Sequence, residues 1–223
     1  MENTNKSTNK STNKNTNKST NKDCDSCEVF EENDGFPALL STNHLPGPMC
    51  MNRLSQFGIF NHLSPQAGYS HKTSISAKGR SDIIRDLIPK QSTACLFTAA
   101  WVWLGGKFPE NIDIINYGHC RRKPHGHSIR SFRRHLSDED YVILGKTRVT
   151  TPERTICDLA YTPSDSENYE PYRKEIAILL ICHYCVDLRK CKSIIDRNPY
   201  FPGSVHARKW LDDITEETSN LWE

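Results

Sequence analysis

Apolar side chains are scarce over the first 35 positions, and positions 3–22 carry none at all. An Asn-Lys-Ser/Thr-Asn theme returns there with a period near four. A segment with nothing to bury cannot offset the entropy lost on ordering, so residues 1–35 are expected to be a disordered, low-complexity tail. From Phe36 onward the pattern becomes periodic. Phe36-Pro-Ala-Leu-Leu opens the apolar material, Pro46-Gly47-Pro48 interrupts it, and Met51, Leu54 and Phe57 then fall near helical spacing over residues 49–57. Gly58 follows the last periodic position, where a glycine ends a helix. Residues 59–72 read as two short extended pieces around a Pro-Gln-Ala-Gly turn, the signature of a β-hairpin.

The spacing next predicts a short helix over 81–88, capped by Ser81 and stopped by Pro89. A strongly apolar helix over 92–104 follows, ended by Gly105-Gly106, with Ala99 and Ala100 small enough for another element to approach and Trp101 and Trp103 as core or interface residues. Between 111 and 150 the pattern shifts to strands, at 112–115, 128–135, 141–144 and 147–150. Gly145-Lys146 joins the last two, with glycine at the first central position of a two-residue turn. The sharpest local pattern is Thr150-Thr-Pro-Glu-Arg-Thr-Ile-Cys-Asp-Leu-Ala160. Thr150 or Thr151 caps a helix there and Pro152 lies in its first turn, which makes a strand-to-helix corner. A polar break over 161–170, a long apolar helix over 171–190 and an amphipathic helix over 205–214 complete the chain.

These elements specify an α+β protein: a small winged-helix-like N-terminal unit, then a mixed α/β domain with a short antiparallel sheet. The expected segments are the tail at 1–35, the winged-helix-like unit at 36–80, the α/β domain at 81–215 and a short tail at 216–223. In a winged helix the helix lies in the major groove and the hairpin rests on the backbone. Arg53, His62, His71, Lys72 and Lys78 would supply the polar and positive contacts of such a unit.

Charge changes the picture in one place. The net charge is only +2, yet residues 119–135 hold Arg121, Arg122, Lys123, Arg130, Arg133 and Arg134, with four histidines and no acid. Six positive charges on a loop and strand repel one another unless an anion, or acidic groups from elsewhere, sit opposite. Nucleic-acid phosphate is the commonest such anion. The alternatives are an acidic protein surface, or a solvated hairpin whose arginines pair with Asp138, Glu139 and Asp140. Lys6, Lys10, Lys14, Lys18 and Lys22 make the tail a weak polycation, a plain solubilising tail or an arm that grazes phosphate. The acids from Asp23 to Asp34 screen its field within about 8 Å.

No h-region precedes position 25, and no stretch approaches the ~18 apolar residues of a span, so a cytoplasmic protein without a membrane partner is expected. The nine cysteines are then thiols. Cys24-x-x-Cys27 and Cys182-x-x-Cys185, with Cys191 beyond, have the spacing of zinc ligands. The second pair falls in an apolar run read as a buried helix, where a thiol packs as a small hydrophobe, and no metal or cofactor is assigned. His125 and His127 stand among arginines that would repel a cation. No Gly-rich phosphate loop, G-x-S-x-G elbow or H-E-x-x-H is present, and Asp113, Asp158 and Lys174 lie in unrelated contexts. A non-enzymatic protein is expected, with no catalytic residue.

The motif order supplies a further expectation. Thr98-Ala-Ala-Trp101, a β-rich segment with scattered arginines, and Gly145-x-x-Arg148-Val-Thr-Thr-Pro152-x-Arg154-Thr-x-x-Asp158-Leu-Ala160 together resemble the AbiEi family of bacterial antitoxin-repressors. Leu54-x-x-x-Gly58-Ile-x-x-x-Leu63-x-x-x-x-Gly68-Tyr69 is similar to the wing that precedes this region in the family. The resemblance covers roughly residues 50–160. It implies a winged-helix DNA-binding domain joined to an α/β domain, binding to inverted repeats in the protein's own promoter, and a nucleotidyltransferase-type toxin as partner. On that basis Arg53, His62 and Lys72 would contact the operator, and the basic hairpin Arg121 to Arg134 the DNA backbone or the toxin. The expected function is a transcriptional autorepressor and antitoxin that acts by occupancy; the alternative is a protein-interaction module whose basic face meets an acidic protein and no DNA.

Overall fold

A computed structural model describes residues 37–118, 120–162 and 169–219. The expected tail at 1–35 and the Cys24–Cys27 pair lie outside the described residues.

The chain opens with strand β1 (Leu39–Ser41), a 3-10 turn at Thr42–His44, helix α1 (Pro48–Gln56) and the hairpin β2 (Phe60–Ser64) and β3 (Ala67–Ser70). Pro48 starts α1 in its first turn, where the missing N–H costs nothing. The hairpin's second strand is central: β3 pairs antiparallel with both neighbours, so Tyr69 lies opposite Leu39 on one side and Asn61 on the other. Helices α2 (His71–Ser74) and α3 (Ala77–Leu87) lead into a second, five-stranded sheet.

That sheet contains β4 (Thr93–Ala94), β5 (Asn111–Ile115), β6 (Ser128–Phe132), β7 (Tyr141–Leu144) and β8 (Thr147–Thr150) in the order β6-β5-β4-β8-β7. Its pairing is mixed. The expected antiparallel hairpin β7–β8 forms one edge, but β4–β8 and β5–β6 run parallel. Gly145 opens the β7–β8 turn at φ +59, a backbone that side-chain-bearing residues rarely adopt. Helix α4 (Leu96–Leu104) lies between β4 and β5 in sequence, and α5 (Pro152–Ala160), α6 (Tyr169–Tyr184), α7 (Leu188–Asp196) and α8 (Ser204–Ser219) form a helical layer.

Alternation along β5 shows how the sheet divides the core. Ile112 and Ile114 join Ile83, Leu87, Trp101, Val149, Leu63 and Tyr69 in one buried cluster. Ile115 joins Leu96, Ile156, Leu159, Leu180, Trp210 and Ile214 in the other. Both clusters draw on α4, which explains a helix apolar on all sides. The first cluster also includes Ala38, so residues 37–80 have their apolar face in the same core as α3 and the larger sheet. Each fully buried Leu or Ile there stabilises the fold by about 1.5–3 kcal/mol.

Four local expectations need correction. Helix α3 starts at Ala77 because Ser76 caps it, accepting from the Gly79 N–H at 3.0 Å. Ser81 is buried within that helix; its hydroxyl donates to the Lys78 and Leu144 carbonyls, and its own carbonyl accepts from Thr147, which fastens α3 to the β7–β8 hairpin. The helix expected over 92–104 begins only at Leu96, since β5 and β8 capture Thr93 and Ala94 as the central strand. The long helix expected over 171–190 breaks at Cys185, at φ +49, and restarts where Asp187 accepts from the Arg189 N–H. Cys182, within α6, and Cys185, at the break, are exposed instead of buried. The last helix is longer than expected, Ser204–Ser219 against 205–214. No helix of the described residues is long and apolar enough to cross a membrane.

Candidate nucleic-acid interface

The described part of the basic run, residues 120–135, is not a hairpin. It is a loop leading into β6, which pairs parallel with β5, and the register decides the fate of its arginines. Asp113 and Arg130 are direct cross-strand partners. The Arg130 guanidinium donates to both carboxylate oxygens of Asp113, Nε at 2.6 Å and Nη2 at 2.9 Å. Asp113 is fully buried, and burial pushes its carboxyl above the ordinary range although Arg130 and the Phe97 N–H favour the charged form. The Asp113 N–H donates to Thr98 Oγ1 and its carbonyl accepts from the Cys95 N–H, so this one residue fixes the start of α4.

Arg134 is also turned inward. Its Nη1 donates to Asp158 Oδ1 at 2.6 Å, and the same oxygen accepts from Arg154 Nε at 3.1 Å. Arg154 reaches on to Asp140 at 3.3 Å, which accepts from Arg197 at 2.7 Å as well. In the alternative reading of a solvated hairpin the arginines of the run pair with Asp138, Glu139 and Asp140; Arg130 and Arg134 pair instead with Asp113 and Asp158. Thr151 is the residue that caps α5, accepting from the Arg154 N–H at 3.2 Å, and this cap with Pro152 sets the turn of helix carrying Arg154 and Asp158.

Arg121, Arg122 and Lys123 remain exposed on the loop between β5 and β6, and Arg133 is exposed just beyond β6. The loop ends against the small sheet. His127 faces the Glu110 carbonyl through Nδ1 and the Leu63 carbonyl on β2 through Nε2, both at 3.0 Å. Both ring nitrogens face acceptors, so both contacts are hydrogen bonds only when the imidazole carries two protons. Phe108 packs edge-on against the His127 ring at 5.1 Å. A cleft of about 390 Å³ lies there, lined by His62, Tyr69, Lys107, Phe108, Glu110 and His127 among others. His62 and His127, far apart in sequence, thus line one cleft.

Of the other expected contact residues, Arg53 is exposed on α1, Lys72 and His71 on α2, and Lys78 on α3. Helix α1 buries Met51 and exposes Met49, Asn52, Arg53 and Gln56, which stand at i, i+3, i+4 and i+7 and so share one face. Asn52 and Gln56 were missed by charge-based reading because they carry none. Their helical spacing with Arg53 was visible in the chain. The pinning of the loop by His127 had no sequence signal, since it depends on the path of Glu110 and Leu63. Among the described residues, no three His, Cys, Asp or Glu side chains converge on a possible metal position. Cys191 is buried with its thiol toward the Glu153 carbonyl, away from the exposed Cys182 and Cys185.

Comparison of the chain with protein-family models, with curated proteins and with solved structures finds no match.

Proposed function

We propose that the protein is a DNA-binding transcriptional autorepressor and the antitoxin of a toxin–antitoxin pair, acting by binding and not by catalysis. The observation that carries this reading is the solvent face of α1. It presents Asn52, Arg53 and Gln56 together, and arginine reads guanine while asparagine and glutamine read adenine by paired hydrogen bonds in the major groove. The order of the small sheet, strand, turn, helix and hairpin with β1 returning beside β3, supports a winged-helix-like unit that offers α1 to a groove. Arg121, Arg122 and Lys123, beside the hairpin, fit phosphate contact, which sets register and affinity without sequence information.

A mobility-shift titration on the DNA upstream of the protein's own gene, against a scrambled duplex at several salt concentrations, tests this reading. At least about tenfold preference for the promoter is expected, with affinity falling by a log–log slope of about −0.9 per phosphate contacted. Replacing Asn52, Arg53 and Gln56 by alanine is expected to erase the preference and leave most of the salt slope. Replacing Arg121, Arg122 and Lys123 by glutamine is expected to weaken both duplexes alike. Equal affinity for both duplexes would remove the repressor reading.

Exposed apolar residues favour a second reading, as a protein-binding module. Phe57, Ile59 and Ile75 flank the same helix and hairpin at 76%, 52% and 67% exposure. If neither duplex shifts at low salt, this surface and the basic loop become the face for an acidic protein, and a nucleotidyltransferase-type toxin is the first partner to test by co-purification.

A further inference from the structure

The ion pairs that take Arg134 and Arg154 off the surface leave an opening beside them. A cleft of about 120 Å³ lies between the end of β6, α5 and the turn after α7, and Arg133, Arg134, His135, Arg154, Tyr161 and Asn198 contribute to its walls. Among the described residues its buried charges pair off: Arg134 and Arg154, 9% and 8% exposed, meet Asp158 and Asp140, while Arg197, the further guanidinium on Asp140, is 39% exposed and keeps its contact with solvent.

The ion pairs leave donors over. Arg154 commits Nε to Asp158 and Nη1 to Asp140 and the His135 carbonyl, while Arg134 commits Nη1 to Asp158. Arg154 Nη2 and Arg134 Nε and Nη2 have no partner among the described residues, and none of the three is sealed from solvent. The Arg134 guanidinium stacks over the Phe132 and Tyr161 rings, 5.2 and 5.6 Å from their centroids, which fixes its plane. Tyr161 and Phe201 pack edge to face at 5.1 Å and make an apolar wall. Fixed N–H groups on two guanidiniums match a centre that carries several oxygens. The cleft is small, with room for one tetrahedral oxyanion against its walls. A terminal phosphate has three free oxygens to meet both guanidiniums, where a backbone phosphodiester has two.

We propose that this cleft is an oxyanion site for the phosphate of a phosphomonoester. Arg134 and Arg154 are its fixed donors, and Arg133 and Asn198 stand at its mouth. Free phosphate and a mononucleotide share the chemistry, so the test uses both. The full chain is titrated calorimetrically, at constant ionic strength, with inorganic phosphate, with adenosine 5′-monophosphate and with adenosine. Saturable one-to-one binding of the first two and none of adenosine is expected, with a rise in Tm on saturation. Tighter binding of the nucleotide assigns it as the source, and equal binding assigns free phosphate. Asn198→Asp places a carboxylate at the mouth without disturbing the ion pairs and should weaken binding at least about tenfold. Arg133→Gln, on the exposed rim, serves as a second variant and should weaken it several-fold, whereas Arg121→Gln should not change it. The absence of saturable binding up to about 10 mM would overturn the proposal. So would affinity unchanged in Asn198→Asp and Arg133→Gln, or heats that follow ionic strength whatever the anion.

Discussion

Two regions of this protein carry arginines in quantity, and they use them in opposite ways. On the loop between β5 and β6, Arg121 and Arg122 stand in solvent with Lys123. Between β6, α5 and the end of α7, Arg134, Arg154 and Arg197 close on Asp158 and Asp140. A run that reads as one basic patch is thus divided by the fold into a surface part, available to an outside anion, and an inner part already committed to carboxylates. Exposed ion pairs contribute about 0–1 kcal/mol, but breaking a buried pair strands a charge and costs several times more. The inner ion pairs therefore bear on stability, while the outer arginines are left to solvent.

The contrast breaks most clearly at Asp158, whose side chain is fully buried. Asp158→Ala leaves two guanidiniums facing each other, and urea denaturation is expected to show a loss of about 3–5 kcal/mol. A loss under 1 kcal/mol would mean that the inner cluster is no more structural than the loop. Asp140 offers a pH version of the same test. Burial opposes its ionisation, but the Ser137 N–H and hydroxyl, Arg154 and Arg197 outweigh burial and hold its carboxyl below the ordinary range. Its contribution is then present above the unfolded value of about 3.9 and is lost as pH falls through the lower folded value. Asp140→Asn is expected to cost about 1.5–3 kcal/mol at neutral pH and to flatten the acid limb of stability against pH. Asp113 runs the other way: burial raises its carboxyl, so its contribution is complete below the unfolded value and declines as pH rises through the folded one.

Smaller effects sharpen the boundary. Gly145→Ala puts a Cβ 3.1 Å from Asp82 Oδ1 at a positive φ, and a loss of about 1 kcal/mol is expected on thermal unfolding. The smallest effect belongs to the loop. Replacing Arg121, Arg122 and Lys123 by glutamine is expected to change stability by less than about 0.5 kcal/mol, while affinity for DNA falls. A large loss of stability there would make the loop part of the inner network.

Local chemistry was legible in the chain wherever it was short-ranged. The hairpin after α1, the Gly145 turn and the Thr151-Pro152 start of α5 follow from turn and cap preferences that act within a few residues, and all three are present. The exposed stripe Asn52, Arg53 and Gln56 also lies in the helical spacing, although attention to charge alone passes over two of its members. The central strand β4 was not legible, because two residues become a strand only when β5 and β8 arrive on either side. Nor was the division of the arginines. Arg130 meets Asp113 through a parallel register, and Arg134 meets Asp158 across a 24-residue separation. Sequence by itself determined where helices cap, where turns form and where positive charge accumulates, since those depend on neighbours along the chain. Only the tertiary structure decided which of those charges face a buried carboxylate and which face water, because that depends on strand order, and a carboxylate out of water holds the nearest guanidinium far more firmly than solvent does.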